Sequence, residues 1–343
     1  MRISNPSPSH GGIGDARGVI LVTTLWILAL LTLLAMGIGI RTGIDIKLIG
    51  FFLNSSKANY IAEAGLRKAT ALIEEDSNKS VDSLNEIWSC GFDFDEEEYV
   101  LKDIALGNGF FTVSYELEKD EEGEPLYLYG ASDEEGKLNI NKIGRDLLAR
   151  LPDVTNEIAS AVIDWRDKDS LETFEGAEDG YYESLDNPYE CKDAPFSAPE
   201  ELILVKGMTD EIYDGIKGMI TVYGESETVN INTAPENVLK VLVGPDFETI
   251  ASKIVNRRNG ADGLPGTKDD NIFTDINTIP AQADLNQLEQ VYFKNLKKYF
   301  KFSSNTFRVA SRGKVRNGRV KKTIEAVVNR NDKTSQILYY YED

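Results

Sequence analysis

The 343-residue sequence predicts an α+β fold: a long N-terminal helix packed on an antiparallel sheet, with a large helical domain inserted into the chain that builds the sheet. Three observations predict it. An apolar run without charge covers residues 19–40 and continues, with no proline, to residue 76. Period-two alternation of apolar residues appears shortly after that helix and again at the end of the chain. Between the two strand regions the pattern is helical, and a short Asn-containing signature recurs within it.

The first element is justified by length. At 1.5 Å per residue, a helix of about 22 residues spans roughly 33 Å, enough for the hydrocarbon core of a bilayer. Arg41, Asp45 and Lys47 then mark an interface, and Phe51, Phe52, Tyr60, Ile61, Ala64, Ala69, Leu72 and Ile73 continue an amphipathic stripe. One helix over 19–76 is expected, about 58 residues and roughly 87 Å long. Arg2 and Arg17 favour a cytoplasmic leader, with the rest of the chain across the membrane. A secretory signal peptide would have a shorter apolar core and a cleavage site behind it, whereas this run flows into further helix. A plain membrane anchor remains open on the same residues.

Residues 76–109 are polar and broken, with Trp88, Phe92 and Phe94 as isolated anchors. The spacing predicts a strand over 110–118, with Phe111, Val113, Tyr115 and Leu117 on one face, and a second over 126–132 after a Glu121-Glu122-Gly123-Glu124 turn. Three more strands are expected over 306–312, 319–329 and 336–341, the first two joined around Asn317-Gly318. This hairpin carries Arg308, Arg312, Lys314, Arg316, Arg319, Lys321 and Lys322, a local reversal of charge that either protects an edge or meets an acidic neighbour.

The insertion, residues 133–304, contains the repeat. Leu138-Asn139-Ile140-Asn141 and Val229-Asn230-Ile231-Asn232 are each followed by two helices, over 146–151 and 156–166 in one copy and over 235–243 and 247–258 in the other. A third helix pair of the same shape is expected over 198–205 and 210–223, around Lys206-Gly207-Met208. Nucleic-acid-binding hairpins use a Gly-x-Gly turn to face a phosphate. None of these turns has that glycine pair, and Asp153, Asp210 and Asp246 stand where the phosphate would approach, so the hairpins are expected to pack on one another.

Composition narrows function. Thirty-seven Lys and Arg oppose 57 Asp and Glu, a formal net charge of -20, which argues against nucleic acid as a partner. The single histidine is His10. Ser-His-Asp and Cys-His nucleophilic sites and histidine-ligated metals are therefore excluded beyond the first residues, and no enzymatic activity is expected. Cys90 and Cys191 allow at most one bridge; a disulfide and two separate buried thiols are both open.

The Arg17-Gly18 junction, the apolar segment and the amphipathic continuation together resemble the class III signal of type IV pilins and type II secretion pseudopilins. The resemblance implies cleavage after Gly18 by a prepilin peptidase and methylation of the new N-terminus, Val19. It divides the chain into a leader (1–18), the long helix (19–76, with 19–40 transmembrane), a pilin-like α+β domain (77–132 and 305–343) and the inserted helical domain (133–304). Most of the family carries a glutamate five residues into the mature chain, where Thr23 stands here. A subunit lacking that carboxylate cannot neutralise its neighbour's amine within the helical bundle and suits a terminal position. This absence, Gly176-Ala177-Glu178-Asp179 with Tyr181-Tyr182, and Pro199-Glu200-Glu201-Leu202 are similar to the protein K pseudopilins. The resemblance implies a minor pseudopilin in the inner membrane with a periplasmic globular part, partnered by pseudopilins of the I and J types and the major pseudopilin. The alternative is a DNA-uptake or adhesion-associated minor type IV pilin that binds through its helical hairpins.

Two acidic loops concentrate oxygen ligands. The first contains Asp164, Asp167, Asp169, Glu178, Asp179, Glu183 and Asp193; the second, opening at Asn259-Gly260, contains Asp262, Asp269, Asp270, Asn271 and Asp275. Calcium takes six to eight oxygens in irregular geometry, so either loop could fold around it, or both could be solvated acidic loops. The family resemblance implies structural calcium.

Overall fold

The computed structural model describes residues 14–119, 123–316, 320–330 and 335–343. The fold is α+β, with a long N-terminal helix, an antiparallel sheet and additional helices. Two units follow each other along the chain, Met1–Ser56 and Lys57–Asp343. Most of the leader, the Glu121-Glu122 part of the first turn and the Asn317-Gly318 turn with Arg319 lie outside the described residues.

Helix α1 (Gly14–Glu75) begins before the Gly18-Val19 junction. In the first unit its apolar side chains face outward: Val19, Trp26, Leu33 and Phe52 are all more than half exposed. A surface of that kind suits hydrocarbon better than water, and the helix from Gly18 is long and apolar enough to cross a membrane by length and composition. The threonine hydroxyls within residues 19–40 are satisfied locally. Thr23 donates to the Ile20 carbonyl at 2.9 Å and Thr32 to that of Leu28 at 2.7 Å, which lowers the cost of placing them in a medium without water.

In the second unit six strands form one sheet: β1 (Ile104–Leu106), β2 (Gly109–Val113), β3 (Ser132–Asp133), β4 (Thr306–Val315), β5 (Lys321–Asn329) and β6 (Gln336–Glu342). The order is β6-β5-β4-β2-β1, antiparallel throughout, with β3 pairing with β4 as well. Val113 lies opposite Ser311 and Asp133 opposite Phe307, so segments from both sides of the insertion meet on one strand.

Ala58, Ile61, Ala62, Leu66, Ala69 and Ile73 recur every three or four residues along α1 and are buried with Phe111, Val113, Phe307, Val309, Ile324 and Ala326 of the sheet. Small residues let helix and sheet approach closely. A Cβ on Gly65 would lie 2.2 Å from the Ser311 hydroxyl oxygen, and one on Gly313 2.1 Å from the Ala58 carbonyl oxygen. Trp88 closes this core with its ring 4.8 Å from that of Phe307.

Two expected strands are divided. The segment expected as one strand over 110–118 breaks at Ser114: β2 stays in the main sheet, while Tyr115–Lys119 pairs with Pro125–Leu128 in a separate hairpin. The Tyr115 hydroxyl, 2.8 Å from Ser89 Oγ, holds the departing strand. The strand expected over 126–132 divides likewise between that hairpin and β3, which places Asp133, assigned to the insertion from sequence, in the main sheet.

The insertion is built from two copies, each closed on itself. In the first, Leu138–Asn139 leads to α2 (Arg145–Leu148) and α3 (Asn156–Arg166), then to Phe196, α4 (Asp210–Ile216) and Ile220–Thr221, which pairs in parallel with Leu138–Asn139. In the second, Val229–Asn230 leads to α5 (Glu236–Val243) and α6 (Glu248–Arg258), then to Phe273, α7 (Gln287–Leu296) and Phe300–Lys301, which pairs in parallel with Val229–Asn230. The third helix pair expected from sequence is therefore the second half of the first copy. Its last helix stops at Ile216 instead of continuing to 223, because Gly215 and Gly218 weaken it and Ile220–Thr221 is taken up in the parallel pair.

The repeated asparagines explain the closure. Asn141 accepts from the Phe196 N–H at 2.7 Å and donates to its carbonyl at 2.9 Å; Asn232 makes the same pair with Phe273 at 2.8 and 2.9 Å. Arg166, ending α3, donates to the carbonyls of Ile140 and Ile143, and Arg258, ending α6, donates to those of Ile231 and Ala234. The helices share one core that includes Leu148, Val162, Trp165, Leu239, Ile254 and Phe293.

Gly313→Val is expected to lower stability by about 1–3 kcal/mol, the usual cost of overpacking. Chemical denaturation of the full chain in detergent measures it, and an unchanged midpoint would count against close helix–sheet packing as the determinant.

Candidate cation site

Asp164 lies on α3 and is fully buried. Its carboxylate accepts from the N–H groups of Thr173 at 3.1 Å and Ala177 at 2.8 Å, folding the first acidic loop back over the helix end. That turn brings in Glu178, which is 8% exposed and whose two carboxylate oxygens accept no hydrogen bond from the described residues. Asp179 Oδ1 accepts from the Cys191 N–H at 2.7 Å, fixing the returning strand of the loop. Asp193 follows in a left-handed backbone conformation (φ 50°), and its Oδ1 is likewise buried without a partner.

Glu178, Cys191 and Asp193 each offer a ligand atom within 4.8 Å of the others. Burial, and after it the nearby Asp164, Asp193 and Asp167 carboxylates, push Glu178 up to about 7. Burial pushes the Cys191 thiol up to about 12, so it stays neutral and contributes little to a hard cation. A buried carboxylate among like charges, with both oxygens unpartnered, is costly unless it is protonated or bound to a cation. The oxygen donors fit calcium in type. Asp167 stands close enough to raise Glu178, whereas Asp169 Oδ1 is engaged by the Leu171 N–H at 3.0 Å and Glu183 is exposed.

The second loop is arranged differently. Asp269 Oδ2 accepts from the N–H groups of Ala261 and Asp262 at 2.6 and 3.2 Å, and the Thr267 hydroxyl and these amides hold its carboxyl down at about 2. Asp270 accepts from the Gly266 N–H at 2.8 Å and is pushed up to about 6 by burial. Asp262 accepts from the Leu264 N–H, Asp275 from the Asn277 N–H, and the Asn271 amide donates to the Arg257 carbonyl. These side chains brace the loop through its own backbone. Among the described residues they do not converge as the first set does.

Sequence reading missed two groups. Cys191 is a neighbour of the first cluster, and only its place two residues before Asp193 hinted at it. Asp76, Asp82 and Glu86 also converge, but Arg330 Nη1 bonds Asp76 at 2.7 Å and Nη2 bonds Asp82 at 2.9 Å, so a guanidinium already supplies the positive charge. No local pattern reveals a partner 254 positions away. Cys90 and Cys191 are both buried and unbridged.

Because the folded Glu178 carboxyl sits at about 7 against an ordinary 4.5, the folded state holds the extra proton between those values. Stability of the ion-free protein therefore falls as pH rises through that window. Asp82 and Glu86, also at about 7, act in the same direction, so the measurement is a difference. In chelator, Glu178→Gln is expected to lose less stability between pH 5 and 7.5 than the unaltered chain; equal losses would show that Glu178 does not titrate there.

Residues 132–225, which hold β3, the first helical copy and its acidic loop, match the family model for type II secretion system (T2SS) protein K. Over 145 residues the chain is 27% identical to type II secretion system protein K of Aeromonas hydrophila, covering 40% of this chain and 44% of that protein. The match thus spans less than half of that relative. Over 268 residues it is 27% identical to type II secretion system protein K of Pseudomonas aeruginosa, covering 74% of this chain and 75% of the relative. A chain of the crystal structure of the GspK-GspI-GspJ complex, from the type 2 secretion system of enterotoxigenic Escherichia coli, superposes with a TM-score of 0.59 at 18% identity, covering 88% of this chain and 99% of that one. A likeness at that identity establishes a common fold. The family-model match falls on the inserted helical copy and its acidic loop, and over the longer alignments the chain is similar to type II secretion system protein K.

Proposed function

We propose that the chain is a minor pseudopilin of a type II secretion system, acting at the pseudopilus tip in the export of proteins across the outer membrane. One observation carries this reading beyond the family match: α1 pairs an outward-facing apolar segment with a second segment whose stripe is buried on an antiparallel sheet. Such a subunit can be held by its helix while presenting the rest of the chain. Thr23, which satisfies its hydroxyl on its own helix, offers no carboxylate to a neighbour's amine, and that supports a terminal place over a repeating one. The chain would be inserted in the inner membrane with its globular part in the periplasm. The I- and J-type pseudopilins are the proposed immediate partners, by analogy with the solved complex, and in this reading the major pseudopilin would lie below them. Its role in this reading is structural, with no catalytic step of its own and no nucleic acid bound.

Processing tests the pathway directly. Intact-mass analysis of the protein from its native membrane is expected to show a chain starting at N-methylated Val19; an uncut leader, or a cut elsewhere in the apolar segment, would sink the pseudopilin reading.

The same proposal includes structural calcium in the first acidic loop, held by Glu178 and Asp193 with Asp164 and Asp167 beside them. Calcium there would offset the crowded carboxylates and order a loop with little apolar content. Calcium at about 100 times its Kd is expected to add about 2.7 kcal/mol to the stability of the full chain. Glu178→Gln should remove most of that gain, while Asp269→Asn, in the braced second loop, should keep it. A gain insensitive to Glu178→Gln would place the ion elsewhere.

A further inference from the structure

A groove of about 280 Å³ lies on the second unit, between a short hairpin and the second acidic loop. The hairpin is Phe92–Asp93 paired with Glu98–Tyr99, and its tip carries Glu97 in a left-handed conformation (φ 55°). Phe92, Phe94, Tyr99, Tyr127 and Tyr129 line one side and Leu264 the other. The rings brace one another edge to face, Phe92 against Phe94 at 5.2 Å and Tyr99 against Tyr129 at 5.3 Å, so the wall is built before anything enters it. Tyr127 and Leu264 remain about half exposed at its mouth.

Three observations identify what would fit. Asp95, Glu96, Glu97 and Glu98 are all exposed on the hairpin tip, and no basic residue falls between positions 92 and 99. The ring faces already accept a cation: the Lys102 ammonium sits 4.1 Å from the Tyr129 centroid and 4.7 Å from that of Tyr99. The strand Pro125–Leu128, which bears Tyr127, pairs among the described residues with Tyr115–Lys119 alone, leaving its other edge for a backbone. Aromatic walls, an acidic rim and an open strand edge suit an extended chain in which basic and apolar side chains alternate.

We propose that this groove docks an extended, basic segment of another protein, an apolar side chain seated against Phe94 and Tyr127 and its arginine or lysine neighbours facing the acidic tip. Backbone bonding to the strand edge sets its direction, and the rim selects its charge. The proposal does not rest on the assembly reading or on calcium, since neither supplies any of these groups.

The test uses the full chain in detergent and a short fluorescein-labelled peptide alternating arginine with leucine, read by anisotropy against a control with glutamate for arginine. The basic peptide is expected to bind, to weaken as salt rises and to outbind the acidic control by at least about tenfold. Tyr127→Ala should weaken it by about tenfold or more. Reversing the exposed rim with Glu96→Lys and Glu98→Lys should cut both the affinity and its salt dependence, with circular dichroism confirming that each variant is folded. Equal binding of the two peptides, or binding indifferent to all three substitutions, would overturn the proposal. So would concentration-dependent self-association abolished by Tyr127→Ala with no peptide bound, because the occupant would then be a second copy of this chain.

Discussion

Arg330, just past the end of β5, is 4% exposed, and its guanidinium is shared among Asp76 beyond the end of α1, Asp82 in the following loop and the Ser304 carbonyl ahead of β4. From Ser304 the network continues. Its N–H donates to Asp82 at 2.7 Å and its hydroxyl to Asp133 at 2.6 Å, while Thr233 and Asn230 of the second helical copy also donate to Asp133. One buried polar cluster therefore ties the helix end, the loop after it, both flanks of the sheet and the inserted copy. Burial pushes Asp82 and Asp133 upward, so the cluster is costly except when every member is paired. Leaving either ion of such a pair uncompensated typically costs about 3–5 kcal/mol. That asymmetry makes the cluster a specifier of arrangement more than a source of net stability.

Around this cluster the apolar cores are conventional, and their separation is informative. One core joins α1 to the sheet, and the other joins the two helical copies. The copies repeat a device as well as a pattern: an Asn amide satisfies both backbone groups of a distant phenylalanine, and an arginine at a helix end satisfies carbonyls of the preceding turn. Buried loop backbone must be paired somewhere. Here the same side chains do it twice, and the irregular loops between helices can then be long and acidic without leaving the fold open.

The two acidic loops show how like compositions reach different states. In the second, carboxylates accept from nearby amides and the loop is self-contained. In the first, Asp164 and Asp179 take up the backbone donors, which leaves Glu178 and Asp193 facing each other with oxygens unpartnered. Composition marks both as oxygen-rich; only the pairing of donors distinguishes a braced loop from one that leaves buried carboxylate oxygens without partners.

Periodicity alone determined the long helix, its change from all-round apolar to striped, the antiparallel strands at either flank and the helical insertion, because these depend on the order of apolar and polar residues along a short stretch. The Asn repeat also announced a duplication. What periodicity could not decide was where a strand leaves one sheet for another, as at Ser114, or that Ile220–Thr221 closes the first copy instead of ending a helix. Nor could it find Arg330 for Asp82, or show which of the candidate loop carboxylates converge. Those outcomes depend on partners far apart in the chain, set by packing and by the need to pair each buried polar group, and no local pattern of residues contains that information.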